Sequence, residues 1–428
     1  MLAAGVTGFM FVLLAIGAPV GFAMALAGVV GLYLRGGMPM VLGILDTTPI
    51  SAVSAYELIT IPMFMLMAEF VIISGVANDL FRAAAVWVGR IRGGLGIATA
   101  IAGAGFGAIS GSSTAAAATL SATTIPAMRE NGYEAKLACG VVAVSGTLAM
   151  LIPPSVALVL FGIIADVSIS RLLIGGIIPG ILVCITIALT VLLLVTLDPS
   201  RAGTSRSYSW REKFASLKVA GPLAALFMAV TGIIYLGIAT PTEAAGIGAF
   251  GAMVLAALNG KLGWRSFLAA VTGAARTSCM IFMIIMGAKI FGYFFALTQT
   301  TPAIVDYVAS IETSRWAILA LILLIYLILG CFMDQIAILI LTVPVVLPVV
   351  ISLGFDPVWF GVIVIVIAEV GLITPPVGLN AFVVSRYAGR PVEEVFAGAF
   401  PHVIAHLLLI ALLVVFPGLV LWLPSTMN

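Results

Sequence analysis

Charged residues are scarce in this chain: they make up 8% of its 428 residues, whereas 63% are hydrophobic and the net charge is only +2. Soluble globular proteins typically have about a quarter of their residues charged, so the composition excludes an ordinary protein surrounded by water. The small net charge also gives no indication of nucleic-acid binding. A mean hydropathy of +1.28 instead predicts a chain that lies in lipid.

Cysteine and histidine are also rare, with four and two copies. The cysteines lie in apolar segments without Cys-x-x-Cys spacing, so they are interpreted as packing residues rather than as zinc ligands or disulfides. His402 and His406 are one helical turn apart, but no cysteine or acid completes a metal site around them. The sequence therefore predicts no cofactor.

Apolar stretches long enough to cross a bilayer recur along the chain. A spanning helix needs about 20 such residues, and the alternating segments of a membrane barrel are absent. We therefore predict an all-α polytopic membrane protein. Residues 2–34 are expected to be permanent membrane helix, in which Gly17-Ala18-Pro19 either kinks one long helix or separates two short ones.

Prolines recur in one register along the chain. Because proline fixes the backbone geometry, shared positions indicate shared bends. This register predicts two related halves, residues 1–197 and 219–428, joined by a polar linker, residues 198–218. Five pairs of prolines are each separated by 222 residues: Pro19 and Pro241, Pro126 and Pro348, Pro153 and Pro375, Pro154 and Pro376, and Pro179 and Pro401.

The distribution of basic residues indicates the orientation of the two halves. The linker holds five Lys and Arg residues and is predicted to be cytoplasmic, and fifteen of the nineteen fall on that side. Residues 93–128 would then begin and end in the cytoplasm, whereas residues 316–351 would begin and end outside. Both segments are predicted to be re-entrant helical hairpins, which makes the two halves inverted-topology repeats. Broken helices follow them, at about residues 136–165 and 358–385.

The turn of the first hairpin is rich in hydroxyl groups. The sequence GAISGSSTAAAATL places Ser110, Gly111, Ser112 and Ser113 at membrane depth. Hydroxyls and free carbonyls can coordinate a hard cation, and the amides of a helix N-terminus attract an anion. We favour a cation and solute site, although small residues also serve close helix packing.

The second turn replaces these hydroxyls by an acid and an amide, Asp334 and Gln335. Asp334 falls on Ser112 in the 222-residue register, and an acid inside a membrane indicates a functional site. Its structural alternative is pairing with a base such as Lys289.

A Pro-Pro pair follows each hairpin, Pro153-Pro154 in LIPPS and Pro375-Pro376 in LITPPVGLN. Two prolines remove two amide donors, so the helix unwinds there and its free carbonyls can bind a cation. A bend without function is the alternative. Three further acids in apolar surroundings, Glu57, Glu69 and Glu243, are candidates for ion or proton relay or for pairing with helix ends.

Taken together, these blocks resemble the large membrane subunit of tripartite ATP-independent periplasmic (TRAP) transporters. The resemblance covers essentially the whole chain and also includes GIATPTEAAGIGA and GCFMDQIAILILTVPVVLPV. It implies a sodium-driven secondary transporter of the bacterial inner membrane, with no enzymatic activity and an elevator-type transport domain that moves against a scaffold. It further implies two partners, a small four-helix membrane subunit and a periplasmic solute-binding protein, and a small organic acid as substrate.

The resemblance also implies the site residues. One sodium site would join the tip residues 110–113 to Pro153 and Pro154, and the other would be formed by Gly330, Gly371, Thr374 and Val377. The solute would contact Ser110, Ser155, Asp334 and Asn380.

Two other functions remain open from the residues. One is a stand-alone sodium-carboxylate symporter, which needs no receptor. The other is an intramembrane hydrolase that uses Ser112 or Ser113 with His402 or His406 as base.

Overall fold

The structure is a computed structural model that describes residues 2–203, 207–310 and 313–427. Within these ranges the chain is helical and contains no β-strand. Eight of the described helical segments are long and apolar enough to cross a membrane. The predicted all-α polytopic fold is therefore confirmed.

The helices follow one another with short connections. Their bounds are α1 Leu2–Ala15, α2 Val20–Val53, α3 Thr60–Ser74, α4 Val76–Val88, α5 Gly94–Ser110, α6 Ser113–Glu130, α7 Ala135–Gly146, α8 Val156–Ala165, α9 Ile169–Gly175, α10 Ile177–Leu197, α11 Trp210–Tyr235, α12 Pro241–Leu258, α13 Trp264–Leu297, α14 Thr300–Ala309, α15 Arg315–Phe332, α16 Gln335–Ser352, α17 Pro357–Gly371, α18 Leu379–Ala388, α19 Val392–Val415 and α20 Gly418–Ser425.

The N-terminal apolar stretch forms two helices, so the second of the two alternatives holds. Gly17 has a φ of +87°, which ends α1, and Pro19 precedes the first residue of α2. A further kink lies inside α2, where Gly37 has a φ of +69°. Glycine reaches these angles without steric cost, and proline removes a helix donor.

Both predicted hairpin segments are pairs of packed helices joined by a two-residue turn. The first turn is Gly111-Ser112 between α5 and α6, and the second is Met333-Asp334 between α15 and α16. Met333 follows Gly111 by 222 residues. The turns thus lie in the register of the repeated prolines.

The two Pro-Pro sequences interrupt their helices as predicted. The first interruption separates α7 and the 3₁₀ turn Thr147–Met150 from α8, and the second separates α17 from α18. The bonds Pro153-Pro154 and Pro375-Pro376 are both cis. Every residue from Val358 to Gly371 is buried, which is typical of a helix at the centre of a bundle.

Part of the predicted linker, residues 198–218, is helical, because α11 begins at Trp210. Ser209 and Glu212 form a capping box, in which each side chain bonds the other's backbone N–H, and this starts the helix early.

Candidate functional site: a cavity between the two hairpin tips

The first tip combines a left-handed glycine with three serines. Gly111 has a φ of +54°, and its N–H donates to the Gly107 carbonyl at 3.2 Å, which ends α5. Ser112 then caps α6 by accepting a hydrogen bond from the Ala115 N–H at 3.4 Å. The hydroxyl of Ser110 is buried and has no hydrogen-bond partner among the described residues.

Ser113 connects this tip to the other half of the chain. Its hydroxyl donates to Glu369 Oε1 at 2.6 Å, and both side chains are buried. Ser113 and Glu369 are 256 residues apart in the sequence. The first tip is thereby hydrogen-bonded to α17, the first part of the broken helix in the second half.

The second tip carries its own acid. Asp334 caps α16 by accepting a hydrogen bond from the Ile336 N–H at 3.1 Å, and its side chain is exposed. Gln335 follows it as the first residue of the helix and is fully buried. Neither atom of the Gln335 amide has a partner among the described residues.

The second tip also packs closely against its own broken helix. A Cβ added to Gly371 would lie 2.5 Å from the Cα of Gly330, so only glycine allows this approach of α17 to α15. The N–H of Gly378 donates to the Cys331 carbonyl at 3.0 Å. Asn380 lies just beyond the break, fully buried, with no partner for its side-chain amide in the described part of the chain.

The first break is held by Ser155. This residue caps α8 by accepting from the Leu158 N–H at 3.2 Å, and its own hydroxyl donates to the Met150 carbonyl. Pro153, Pro154 and Ser155 are all buried. In the second break the hydroxyl of Thr374 donates to the Val370 carbonyl at 2.7 Å.

A cavity of about 920 Å³ is lined by the two tips and by the helices around the N-terminal turn. These helices are α1, the start of α2 and part of α13, and Met65 of α3 and Met150 and Val156 beside the first break also contribute. Polar lining comes from Ser112, Thr114, Asp334 and Thr277. In the part of the chain that the structure describes, no Lys, Arg or His lines it.

The predicted site residues divide into two sets. Gly111, Ser112 and Asp334 line the cavity, so the two tips are brought together there. The others do not line the cavity and belong to the hairpins, to the breaks or to the helices next to the breaks: Ser110, Ser113, Pro153, Pro154, Ser155, Gly330, Gly371, Thr374, Val377 and Asn380.

The other charged residues considered in the sequence, Lys289, Glu57 and Glu243, do not line this cavity. Lys289 and Glu57 line another cavity, of about 490 Å³, and no ion pair joins Lys289 to Asp334 among the described residues. Glu243 Oε2 accepts from the N–H and the hydroxyl of Thr240, both at 2.8 Å. Glu243 therefore caps α12, as the helix-end interpretation predicted.

The hydrolase alternative lacks its central contact. His402 and His406 are buried in α19, where His406 Nδ1 donates to the His402 carbonyl at 2.7 Å. Ser113 donates to Glu369, and Ser112 exchanges a hydrogen bond with Thr114. No serine-to-histidine hydrogen bond is present within the described ranges.

The sequence interpretation gave no role to Glu369, and it noted Gln335 only as the amide of the second tip. Glu369 stands at the start of the block EVGLITPPVGLN, within an otherwise apolar helix. A carboxylate in such a position indicates function by itself, so the signal was present. Its partner Ser113 could not be read from spacing, because the two residues belong to different halves.

Comparison with known proteins agrees with this architecture. Residues 7–419 match the family described as tripartite ATP-independent periplasmic transporter, DctM component. The chain is 33% identical to the C4-dicarboxylate TRAP transporter large permease protein DctM of Pseudomonas aeruginosa, over 86% of each chain. It is 32% identical to the sialic acid TRAP transporter large permease protein SiaM of Vibrio cholerae, over 96% of each chain.

A solved structure shares the fold. The YdaH transporter of Alcanivorax borkumensis, reported to have an unusual topology, superposes with a TM-score of 0.69 over 97% of this chain and 98% of its own. Its sequence identity is 15%, so this likeness concerns the fold alone. On the family match and the apolar helices, the chain belongs to the DctM component of the tripartite ATP-independent periplasmic transporters, as a multi-pass protein of the bacterial inner membrane.

Proposed function

We propose that this chain is the large permease subunit of a sodium-driven transporter, and that it imports a small organic acid through the cavity between the two tips. The observation that carries the proposal is the meeting of both tips at one cavity. The first turns of α6 and α16 both line it. Helix N-termini carry partial positive charge, so they can attract a carboxylate where the lining has no Lys or Arg.

The proposed sodium sites join residues of the hairpins to residues of the two breaks. One is formed by the first tip, Ser110 to Ser113, with Pro153 and Pro154, where the buried hydroxyl of Ser110 is without a partner among the described residues. The other uses Gly330, Gly371, Thr374 and Val377, where the second break leaves backbone carbonyls outside the helix. Oxygen ligands of this kind suit a hard cation.

The proposed solute contacts are Asp334, which lines the cavity, and Ser110, Ser155 and Asn380, which are buried at the first tip and at the two breaks. Relatives of this chain are named for C4-dicarboxylate and sialic acid, and a third, from Escherichia coli, for 2,3-diketo-L-gulonate. A small organic acid is therefore the proposed substrate class.

We further propose an elevator-type movement of inverted repeats. The hairpins and broken helices would form the transport domain, and α1 to α3 with α11 to α13 would form the scaffold. This division is supported by the cavity, whose walls come from these two groups. A small four-helix membrane subunit and a periplasmic solute-binding protein would complete the system, in keeping with the tripartite family.

Reconstitution tests this function. The chain would be placed in liposomes with the small subunit and receptor from its neighbouring genes, and uptake of C4-dicarboxylates, sialic acid and 2,3-diketo-L-gulonate measured under an inward sodium gradient. We expect uptake of one acid that requires all three proteins and stops when the gradient is dissipated. Uptake by this chain alone would support the stand-alone symporter instead. Uptake that ignores sodium would contradict the proposal.

A further inference from the structure

Glu369 is an acid in a helix that is buried on every side. Its side chain is 3% exposed, and the residues before and after it in α17 are also buried. Oε1 accepts one hydrogen bond, from Ser113, whereas Oε2 has no partner among the described residues. One bond from a neutral hydroxyl offsets only part of the several kcal/mol that an ion loses when it leaves water.

Among the described residues, no Lys, Arg or His forms an ion pair with this carboxylate. Arg201 and Arg390, which do form ion pairs, have Glu134, Asp198 and Glu394 as partners. An ionised Glu369 would therefore be uncompensated by protein groups, and a bound monovalent cation would balance its charge.

Neutral oxygen atoms that could share such a cation lie on the same tip. Ser113 donates its only hydroxyl proton to Glu369, so the lone pairs of its oxygen remain available. Ser110, three residues earlier, has a buried hydroxyl without a partner in the described part of the chain. Hydroxyl and carboxylate oxygens together are ligands that hard cations prefer.

We propose that Glu369 is the charged ligand of the cation site at the first tip. This deepens the proposed function, on which it depends: the tip supplies neutral oxygens from the first half, and α17 supplies the negative charge from the second. Bound sodium then stabilises the contact between Ser113 and Glu369. Because sodium binds the joined arrangement better, it shifts the protein towards that arrangement.

The variant Glu369→Gln separates this role from a structural one. Gln keeps the shape and an oxygen that accepts the Ser113 hydrogen bond, but it removes the charge. It also imitates a protonated Glu369. We expect the sodium concentration for half-maximal uptake to rise at least tenfold, with the folded yield and thermal midpoint close to those of the parent protein.

The control is Glu134→Gln, which neutralises an acid beside the linker whose carboxylate lies 3.9 Å from Arg201. Sodium dependence should be unchanged in this control. A second variant, Ser113→Ala, removes the hydrogen bond and keeps the charge, and should also weaken the sodium response. If the sodium concentration for half-maximal uptake is the same in Glu369→Gln as in the parent, Glu369 is protonated or serves only as a hydrogen-bond partner of Ser113, and the inference is wrong. If the parent itself shows no sodium dependence, the proposed function fails first.

Discussion

The two hairpin tips have the same backbone plan but obtain their negative charge differently. Each is a two-residue turn followed by a helix. The second residue of the turn caps that helix with a side-chain oxygen, and it is Ser112 in one half and Asp334 in the other. The second tip carries its acid in its own sequence. The first tip has only hydroxyls, and its acid, Glu369, comes from the opposite half through Ser113.

The tips also differ in how they are held. The second is fixed within its own half, by the approach of Gly330 to Gly371 and by the bond from Gly378 to Cys331. The first also packs against its own half, where a Cβ added to Gly107 would lie 2.7 Å from the Cα of Ala149, and it has in addition a hydrogen bond to the other half. A duplicated backbone can thus keep its turns and breaks while its side chains diverge into two complementary parts.

The largest expected effect comes from Gly371→Ala, which disrupts the close packing of α17 against the second tip. The new Cβ would lie 2.5 Å from Gly330 Cα and 2.7 Å from the Leu327 carbonyl, which are backbone atoms that cannot turn away. Overpacking of this kind costs about 1–3 kcal/mol. We expect a lower thermal midpoint and at least a tenfold loss of uptake.

Gly292→Ala is the matched control, because nothing lies within 4 Å of a Cβ at that position in α13. It should leave both the midpoint and uptake near the parent values. A normal midpoint in Gly371→Ala would contradict the close packing of the second tip.

Asp334→Asn should have the next largest effect. Asn still caps the helix, so stability should hardly change, but the charge that faces the cavity is lost. We expect uptake to fall about tenfold, which corresponds to about 1.4 kcal/mol. Asp356→Asn is the control, since Asp356 caps α17 through Val358 and Trp359 and does not line the cavity. Equal losses in both variants would mean that Asp334 acts only as a cap.

Ser112→Ala should have the smallest effect of the three. Ser112 faces the same cavity, but its capping bond is long, at 3.4 Å, and it carries no charge. Loss of such a cap costs about 1 kcal/mol, and we expect a threefold fall in uptake. Ser209→Ala removes a cap outside the cavity, at the start of α11, and should not change uptake. A larger loss of uptake in Ser112→Ala than in Asp334→Asn would contradict the expectation that the second tip contributes more to uptake than the first.

Sequence alone predicted the features that local geometry controls. The turn at Gly111 and the interruptions at Pro153 and Pro375 follow from residues that restrict or release the backbone where they stand. The turn at Met333 is followed by the helix cap Asp334, which is also a local signal. Their common register predicted equivalent bends in both halves. The early start of α11 was also visible in principle, since Ser209-Trp-Arg-Glu212 is a capping-box sequence.

Contacts between distant segments could not be predicted in this way. Whether a tip residue faces the cavity or the packing behind it depends on how the helices associate, so Ser112 lines the cavity while Ser113 turns towards Glu369. The buried position of Ser155 likewise depends on neighbours that composition does not specify.

The most direct test of the central claim asks whether both tips enclose the same solute. Cysteine would be introduced at Thr114 and, separately, at Ala337, which line the cavity from the first and the second tip, in a background with the exposed Cys279 replaced by Ala. Labelling by a thiol reagent would be followed in the purified protein while the transported acid is titrated in the presence of sodium. We predict that the acid protects both positions with the same half-maximal concentration, and that Asn259→Cys, exposed at the end of α12, is not protected. Protection of one tip without the other would contradict a single site formed by two unequal halves.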